Sequence, residues 1–94
     1  MDFEFSGVIF TWRGPSPYYY VRVPPEESDA IKMISSSVTY GWGVIPADVR
    51  IGNTSWKTSL FPKDGDYLVP LKDRVRKAEH LEEGATITVR LRVG

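Results

Sequence analysis

Lys57 and Ser59, separated by one residue in the segment SWKTS, are the first side chains in this sequence that could do chemistry. A lysine amine can activate a serine hydroxyl as a nucleophile. Residues two positions apart share one face of a strand, so the two side chains can reach a common rim. No glycine motif suited to an oxyanion hole lies near them. We therefore interpret the segment as a hairpin strand with polar side chains on one face, rather than as a hydrolase or isomerase site.

Basic side chains are concentrated in one short part of the chain, where six of the 12 lysines and arginines fall within residues 57–77. Lys72 and Arg76 are four positions apart on a predicted helix, where like charges cost roughly a few tenths of a kcal/mol unless an anion lies nearby. Two interpretations stay open: an anion site, or a solvated helix face on which Asp73 pairs with Lys77. The six residues are Lys57, Lys63, Lys72, Arg74, Arg76 and Lys77.

Aromatic side chains are abundant, with three tryptophans and five tyrosines. Trp42 lies between two glycines in the segment GWG, and glycines allow close approach of the backbone to a ligand or another element. The rings either line a pocket at the mouth of a barrel or fill its ends. We favour the filling role for Trp56 and leave both open for Trp42. The candidate residues for binding a ligand or partner on one rim are Trp42, Lys57, Ser59, Lys72 and Arg76.

The residue composition of the chain excludes several classes of site. The chain has no cysteine, which excludes disulfides, thiolate zinc sites and a cysteine nucleophile. The single histidine, His80, lies near a predicted helix end, where a capping or surface role suits it. No nucleotide-binding, zinc-protease or EF-hand motif is present. We therefore expect no catalytic residues, no cofactor and no metal.

Size and charge set further limits. The 94 residues predict a single domain, 1–94, with no net charge. The first 49 residues carry three basic and six acidic side chains, and the rest carry nine basic and six acidic. This asymmetry is well short of the basic surface typical of a nucleic-acid binder. Since there is neither an apolar run of about 18 residues nor a signal-peptide pattern, we expect a cytoplasmic protein without membrane contact.

The spacing of apolar residues, prolines and glycines predicts the elements that must position these side chains. Strands are predicted at 3–13 and 18–23, and Pro25 begins a helix that runs to about Ser36 with Ile31 on its apolar face. In the second half, strands 44–52 and 54–61 are predicted to form a hairpin, with Pro62 ending the second strand. An Asp64-Gly65 turn and a returning strand follow, and then a helix over 71–81 that has Ala78 on its apolar face and is closed by Gly84. A half-buried strand is predicted over 85–93.

Six strands and two short helices indicate a mainly β fold, a small closed or nearly closed six-stranded β-barrel with helices covering its openings. The segments YYYVRVPPEESDAI and YLVPLKDRV both read as strand, proline and short helix. This internal echo is what a pseudo-twofold barrel would produce.

Four segments, in order, resemble the signature of a small bacterial and archaeal family known only as a domain of unknown function. They are GWGVIP at 41–46, WKTSLFP at 56–62, YLVPLKDRVRKA at 67–78 and EEGATITV at 82–89. The likeness extends over nearly the whole chain. Members of that family occur alone or joined to a domain associated by name with bacteriocin protection. The resemblance implies a six-stranded barrel and no assigned activity.

The segment 68–93 is also similar to the strand, proline, short helix, glycine and strand of swapped-hairpin transcription factors of the AbrB and MazE type. We therefore keep a nucleic-acid-binding regulator as the alternative to our main hypothesis, although the first half of the chain and its charge depart from that pattern. The main hypothesis is a non-enzymatic binding or interaction module for a small anion, a peptide or a partner protein. A small hydrolase or isomerase is the second alternative. The sequence indicates neither a named partner nor an oligomeric state.

Overall fold

Six strands and two helices occupy the parts of the chain that the computed structural model describes, residues 1–12, 18–38 and 44–94. This number of elements agrees with the prediction. In chain order they are β1 Asp2–Trp12, β2 Tyr18–Arg22, α1 Pro25–Val38, β3 Ile45–Ile51, β4 Thr54–Lys63, β5 Asp66–Leu71, α2 Asp73–Glu79 and β6 Thr86–Val93.

The strands form a closed barrel in the order β1-β2-β5-β4-β3-β6, and every neighbouring pair is antiparallel. Exchanging β1 with β4, β2 with β5 and β3 with β6 leaves the set of neighbours unchanged. The halves β1-β2-α1-β3 and β4-β5-α2-β6 therefore have the same topology, as a pseudo-twofold barrel requires. The predicted closed six-stranded barrel is confirmed.

The barrel interior is filled by side chains that alternate along each strand. In β6, Val89, Leu91 and Val93 are buried while Arg90 and Arg92 point to solvent, as the alternation in the sequence predicts. Trp56 of β4 is buried in the same cluster, in the filling role expected for it. These inward side chains and those of the helices form one continuous hydrophobic core.

Helix α1 is attached to the barrel by a buried serine. Ser28 is fully buried, and its hydroxyl donates to the carbonyl of Val23 over 3.0 Å while accepting from the N–H of Tyr67 over 3.1 Å. Ile31 is fully buried on the same helix, and Ile34 packs against the core. One hydroxyl group thus joins helix α1 to strand β5 and to the residue that follows β2.

Helix α2 is shorter than the predicted helix over 71–81. Leu71 belongs to β5 and Leu81 follows the helix, although both are buried, while Ala78 is exposed rather than part of an apolar face. The helix is closed by His80 and not by Gly84. His80 takes a left-handed conformation with φ 53°, and the N–H of the following Leu81 bonds back to the carbonyl of Arg76 over 2.9 Å.

The turn between β4 and β5 has the predicted conformation, whereas the predicted end of β4 is wrong. Asp64 and Gly65 both have positive φ, 52° and 89°, as predicted for this dipeptide. Pro62 does not end β4, which continues to Lys63 with Pro62 opposite Tyr67. A proline removes only the hydrogen bond of its own nitrogen, so strand pairing can continue on either side of it.

Candidate functional site

Three of the predicted site residues lie around strand β4. Lys57 and Ser59 are exposed on its outward face, because Trp56 and Leu60 point into the barrel. Lys72 caps the start of α2, and its ammonium donates to the carbonyl of Lys57 over 3.3 Å. The structure therefore joins the Lys72 side chain to the backbone of Lys57 on the outside of the barrel.

Arg76 is engaged elsewhere, and Trp42 lies outside the described residues. The Arg76 guanidinium lies over the ring of Tyr19 in β2, and its Nη2 donates to Asp73 Oδ1 over 2.9 Å. The carboxylate of Asp73 thus pairs with Arg76 at i,i+3 and not with Lys77 as one interpretation expected. This ion pair lowers the pKa of Asp73, chiefly through the hydrogen bond.

A first row of alternating charges crosses four strands of the outer surface. In register, it consists of Asp2 of β1, Arg92 of β6, Asp48 of β3 and Lys57 of β4. Arg92 Nε donates to Asp2 Oδ1 over 2.9 Å, and this contact lowers the pKa of Asp2 and raises that of Arg92. Every residue of this row has an oppositely charged neighbour across the sheet.

A second row, one pleat along the same strands, does not alternate. It consists of Glu4 of β1, Arg90 of β6, Arg50 of β3 and Ser55 of β4. Arg90 Nε donates to Glu4 Oε1 over 2.9 Å, whereas Arg50 Nε donates to the carbonyl of Gly52 over 3.0 Å. Two arginines therefore stand directly opposite each other on neighbouring strands.

Apart from Lys57, the residues of the two rows line an open groove with a volume of about 790 Å³. Arg90, Arg50 and Ser55 belong to its lining, and two lysines lie outside it, Lys57 on β4 and Lys72 at the start of α2. We call these five residues the basic arc. Sequence reasoning found its lysines but missed Arg50 and Arg90, because only the pairing of β3 with β6 places them together. The alternation of Arg90 and Arg92 with apolar residues in β6 predicted that both arginines lie on the outer face of the strand. It could not predict which residues lie opposite them.

Four aromatic residues, Phe10, Tyr18, Tyr20 and Phe61, form a cluster on β1, β2 and β4 that is separate from Trp56 in the core. Tyr20 packs edge-on against Phe61, with ring centres 5.2 Å apart, and it also contacts Phe10 and Tyr18. Burial raises the pKa of Tyr20, and Tyr18 adds to the effect. Since these rings point away from the core, they stabilise the outside of β1, β2 and β4.

Within the described ranges, no group of three or more acidic or histidine side chains could hold a metal ion. No helix in the described part of the chain is long and apolar enough to cross a membrane. The basic arc and its neighbouring carboxylates are the candidate binding surface.

The fold and this surface define a class of protein, a small closed antiparallel β-barrel with a charged outer face. The family model described as Domain of unknown function (DUF1905) matches residues 5–91. The chain therefore belongs to the DUF1905 family, which confirms the predicted membership of a family of unknown function. No curated protein matches the sequence.

Proposed function

We propose that this barrel is a non-enzymatic binding module that holds an acidic segment of a partner protein against the basic arc. The observation that carries the proposal is the strand register, which sets Arg50 opposite Arg90 on the outer face and Ser55 opposite Arg50. Lys57 lies two residues beyond Ser55 on β4, and the Lys72 ammonium donates to the backbone carbonyl of Lys57. A rigid barrel presents these charges without first having to order a loop.

The length of the basic arc favours an extended peptide over a small anion. From Arg90 on β6 through Arg50 on β3 to Lys57 on β4 and Lys72 beyond it, the arc extends over about three strand spacings, or ~15 Å. An extended peptide covers that distance with about five residues. A single small anion would contact only one part of the arc.

The alternatives fit this surface less well. A duplex-binding protein needs a broad basic surface, whereas Glu4 and Asp48 interrupt this one and the chain has no net charge. A hydrolase needs a nucleophile held in an enclosed site with a base. Ser59 is instead exposed on the outer wall of the barrel.

Binding of a fluorescently labelled peptide of alternating glutamate and serine tests the proposal, with fluorescence anisotropy as the readout. We expect binding at ~50 mM salt that weakens as salt rises, since exposed charges are screened. The double variant Lys57→Gln/Lys72→Gln should weaken it about tenfold or more. Lys77→Gln, an exposed lysine of α2 outside the arc, is the matched control.

Titration of the protein with a labelled DNA duplex, at the same concentration as the peptide, tests the alternative of a nucleic-acid-binding regulator. Preferential binding of the duplex, or peptide binding that the Lys57/Lys72 variant leaves unchanged, would overturn the proposal.

A further inference from the structure

Among the described strand pairings, Arg50 and Arg90 are the one pair of like charges that lie directly opposite each other. Both side chains are exposed and point outward, and residues directly opposite in an antiparallel pair have Cβ atoms about 5 Å apart. Like charges at that separation are unfavourable. An anion lying between them would convert the repulsion into two attractive contacts.

Arg50 has no carboxylate partner in the part of the chain that the structure describes. Its Nε donates to the carbonyl of Gly52, and none of the ion pairs among the described residues involves it. Asp48, two residues before it on the same face, already stands between Arg92 and Lys57 in the first row. Asp48 is therefore shared by two other cations.

Arg92 on the same strand provides a natural comparison with Arg90. The two are similarly exposed, and each donates from Nε to a carboxylate of β1 over 2.9 Å. They differ in the neighbour on the other side, which is Asp48 for Arg92 and Arg50 for Arg90. Only the second row has a spare positive charge, and Ser55 at its end adds a hydroxyl donor.

We propose that Arg50, Arg90 and Ser55 form a phosphate-binding subsite of the basic arc, which takes a phosphorylated side chain of the bound segment. Guanidinium groups bind phosphate through two parallel hydrogen bonds, and clustered arginines are the usual means of recognising a phosphorylated peptide. Arg50 and Arg90 carry two positive charges against the single carboxylate of Glu4, and the Ser55 hydroxyl lies opposite Arg50. A phosphate group offers three strong acceptor oxygens to these donors, whereas a carboxylate offers two.

This inference deepens the proposed function, but free phosphate tests it independently of any peptide. In an NMR titration with inorganic phosphate at constant ionic strength, the Nε–H signals of Arg50 and Arg90 and the amide of Ser55 should shift, and those of Arg92 should not. Arg50→Gln should weaken phosphate binding about tenfold, as expected for loss of a charge-assisted contact. Arg92→Gln should change it less than about twofold. The amide spectrum of each variant checks that it is folded.

Three peptides of one sequence, containing serine, glutamate or phosphoserine at a central position, complete the test. Tighter binding of the phosphoserine peptide that Arg50→Gln abolishes supports the subsite. Equal binding of the glutamate and phosphoserine peptides, or a titration in which phosphate shifts neither arginine, would overturn it. In either of these cases an acidic peptide that still depends on Lys57 and Lys72 would leave the proposed function standing.

Discussion

The guanidinium carbon of Arg76 lies 3.6 Å from the centre of the Tyr19 ring, which joins helix α2 to strand β2. The arginine side chain is only 23% exposed and also pairs with Asp73. A cation on an aromatic face contributes about 0.5–2 kcal/mol, with the larger values in desolvated places. Arg76 is therefore part of the scaffold, and its charge is not free for the binding surface.

Replacement of Arg76 should destabilise the barrel. We expect Arg76→Ala to lower the free energy of unfolding by about 1–2 kcal/mol, because it removes the contact with Tyr19 and the packing of the arginine stem. Urea denaturation measures the difference. Lys77→Ala, at the exposed position next to it, should change stability by less than about 0.5 kcal/mol. Equal effects of the two substitutions would contradict the role given to Arg76.

The hydroxyl of Ser28 should be essential to the attachment of α1. Ser28→Ala leaves the N–H of Tyr67 and the carbonyl of Val23 without their buried partner, which should cost about 1–3 kcal/mol in unfolding free energy. Ser59→Ala, which removes an exposed hydroxyl from the barrel wall, is the control and should be nearly neutral. If Ser28→Ala were as stable as the control, the two hydrogen bonds would not hold the helix.

Gly52 should be needed for two separable reasons. It has φ 58°, and a Cβ there would meet the carboxylate of Glu79, which accepts a hydrogen bond from Thr54 over 2.6 Å. Gly65 also has positive φ, but a Cβ there meets nothing within 4 Å. We expect Gly65→Ala to cost about 1 kcal/mol from backbone strain alone, and Gly52→Ala to cost about 1 kcal/mol more from loss of the Thr54 contact.

Thermal or urea unfolding of both variants, repeated in a Glu79→Ala background, checks this separation. Without the Glu79 carboxylate, Gly52→Ala should cost no more than Gly65→Ala. A difference that persists in that background would mean that the collision with Glu79 is not its cause.

Much of the fold is predictable from the sequence because the local signals agree with one another. The alternation in β6, the Asp64-Gly65 turn and the prolines before α1 each specify local geometry that the barrel keeps. The predictions are wrong where contacts between distant parts of the chain determine where an element ends. Leu71 and Leu81 continue the helical spacing of α2, but the barrel buries them from a strand and from a turn, so periodicity alone made the helix too long.

The candidate site was only partly predictable for the same physical reason. Lys57 and Lys72 were expected on one rim, and the Lys72 ammonium donates to the backbone carbonyl of Lys57. Arg50 and Arg90 meet only through the register of two strands distant in sequence, and Arg76 is held by Tyr19 from the first half of the chain. Register across a closed barrel is set by all of its strands together, so no short segment encodes it.

The ion pair between Asp2 and Arg92 should make stability depend on pH in the acid range. Its hydrogen bond and charge hold the pKa of Asp2 below the ordinary aspartate value of 3.8, so the folded state favours the ionised form. Its contribution is therefore fully present above pH 3.8 and is lost as the pH falls through the lower pKa of the folded state. Carboxyl-carbon NMR titration should show the pKa of Asp2 rising in Arg92→Gln while that of Asp73, whose partner is Arg76, stays low. Because both groups are exposed, high salt should reduce the difference, and an unchanged pKa of Asp2 in Arg92→Gln would show that the contact is not formed in solution.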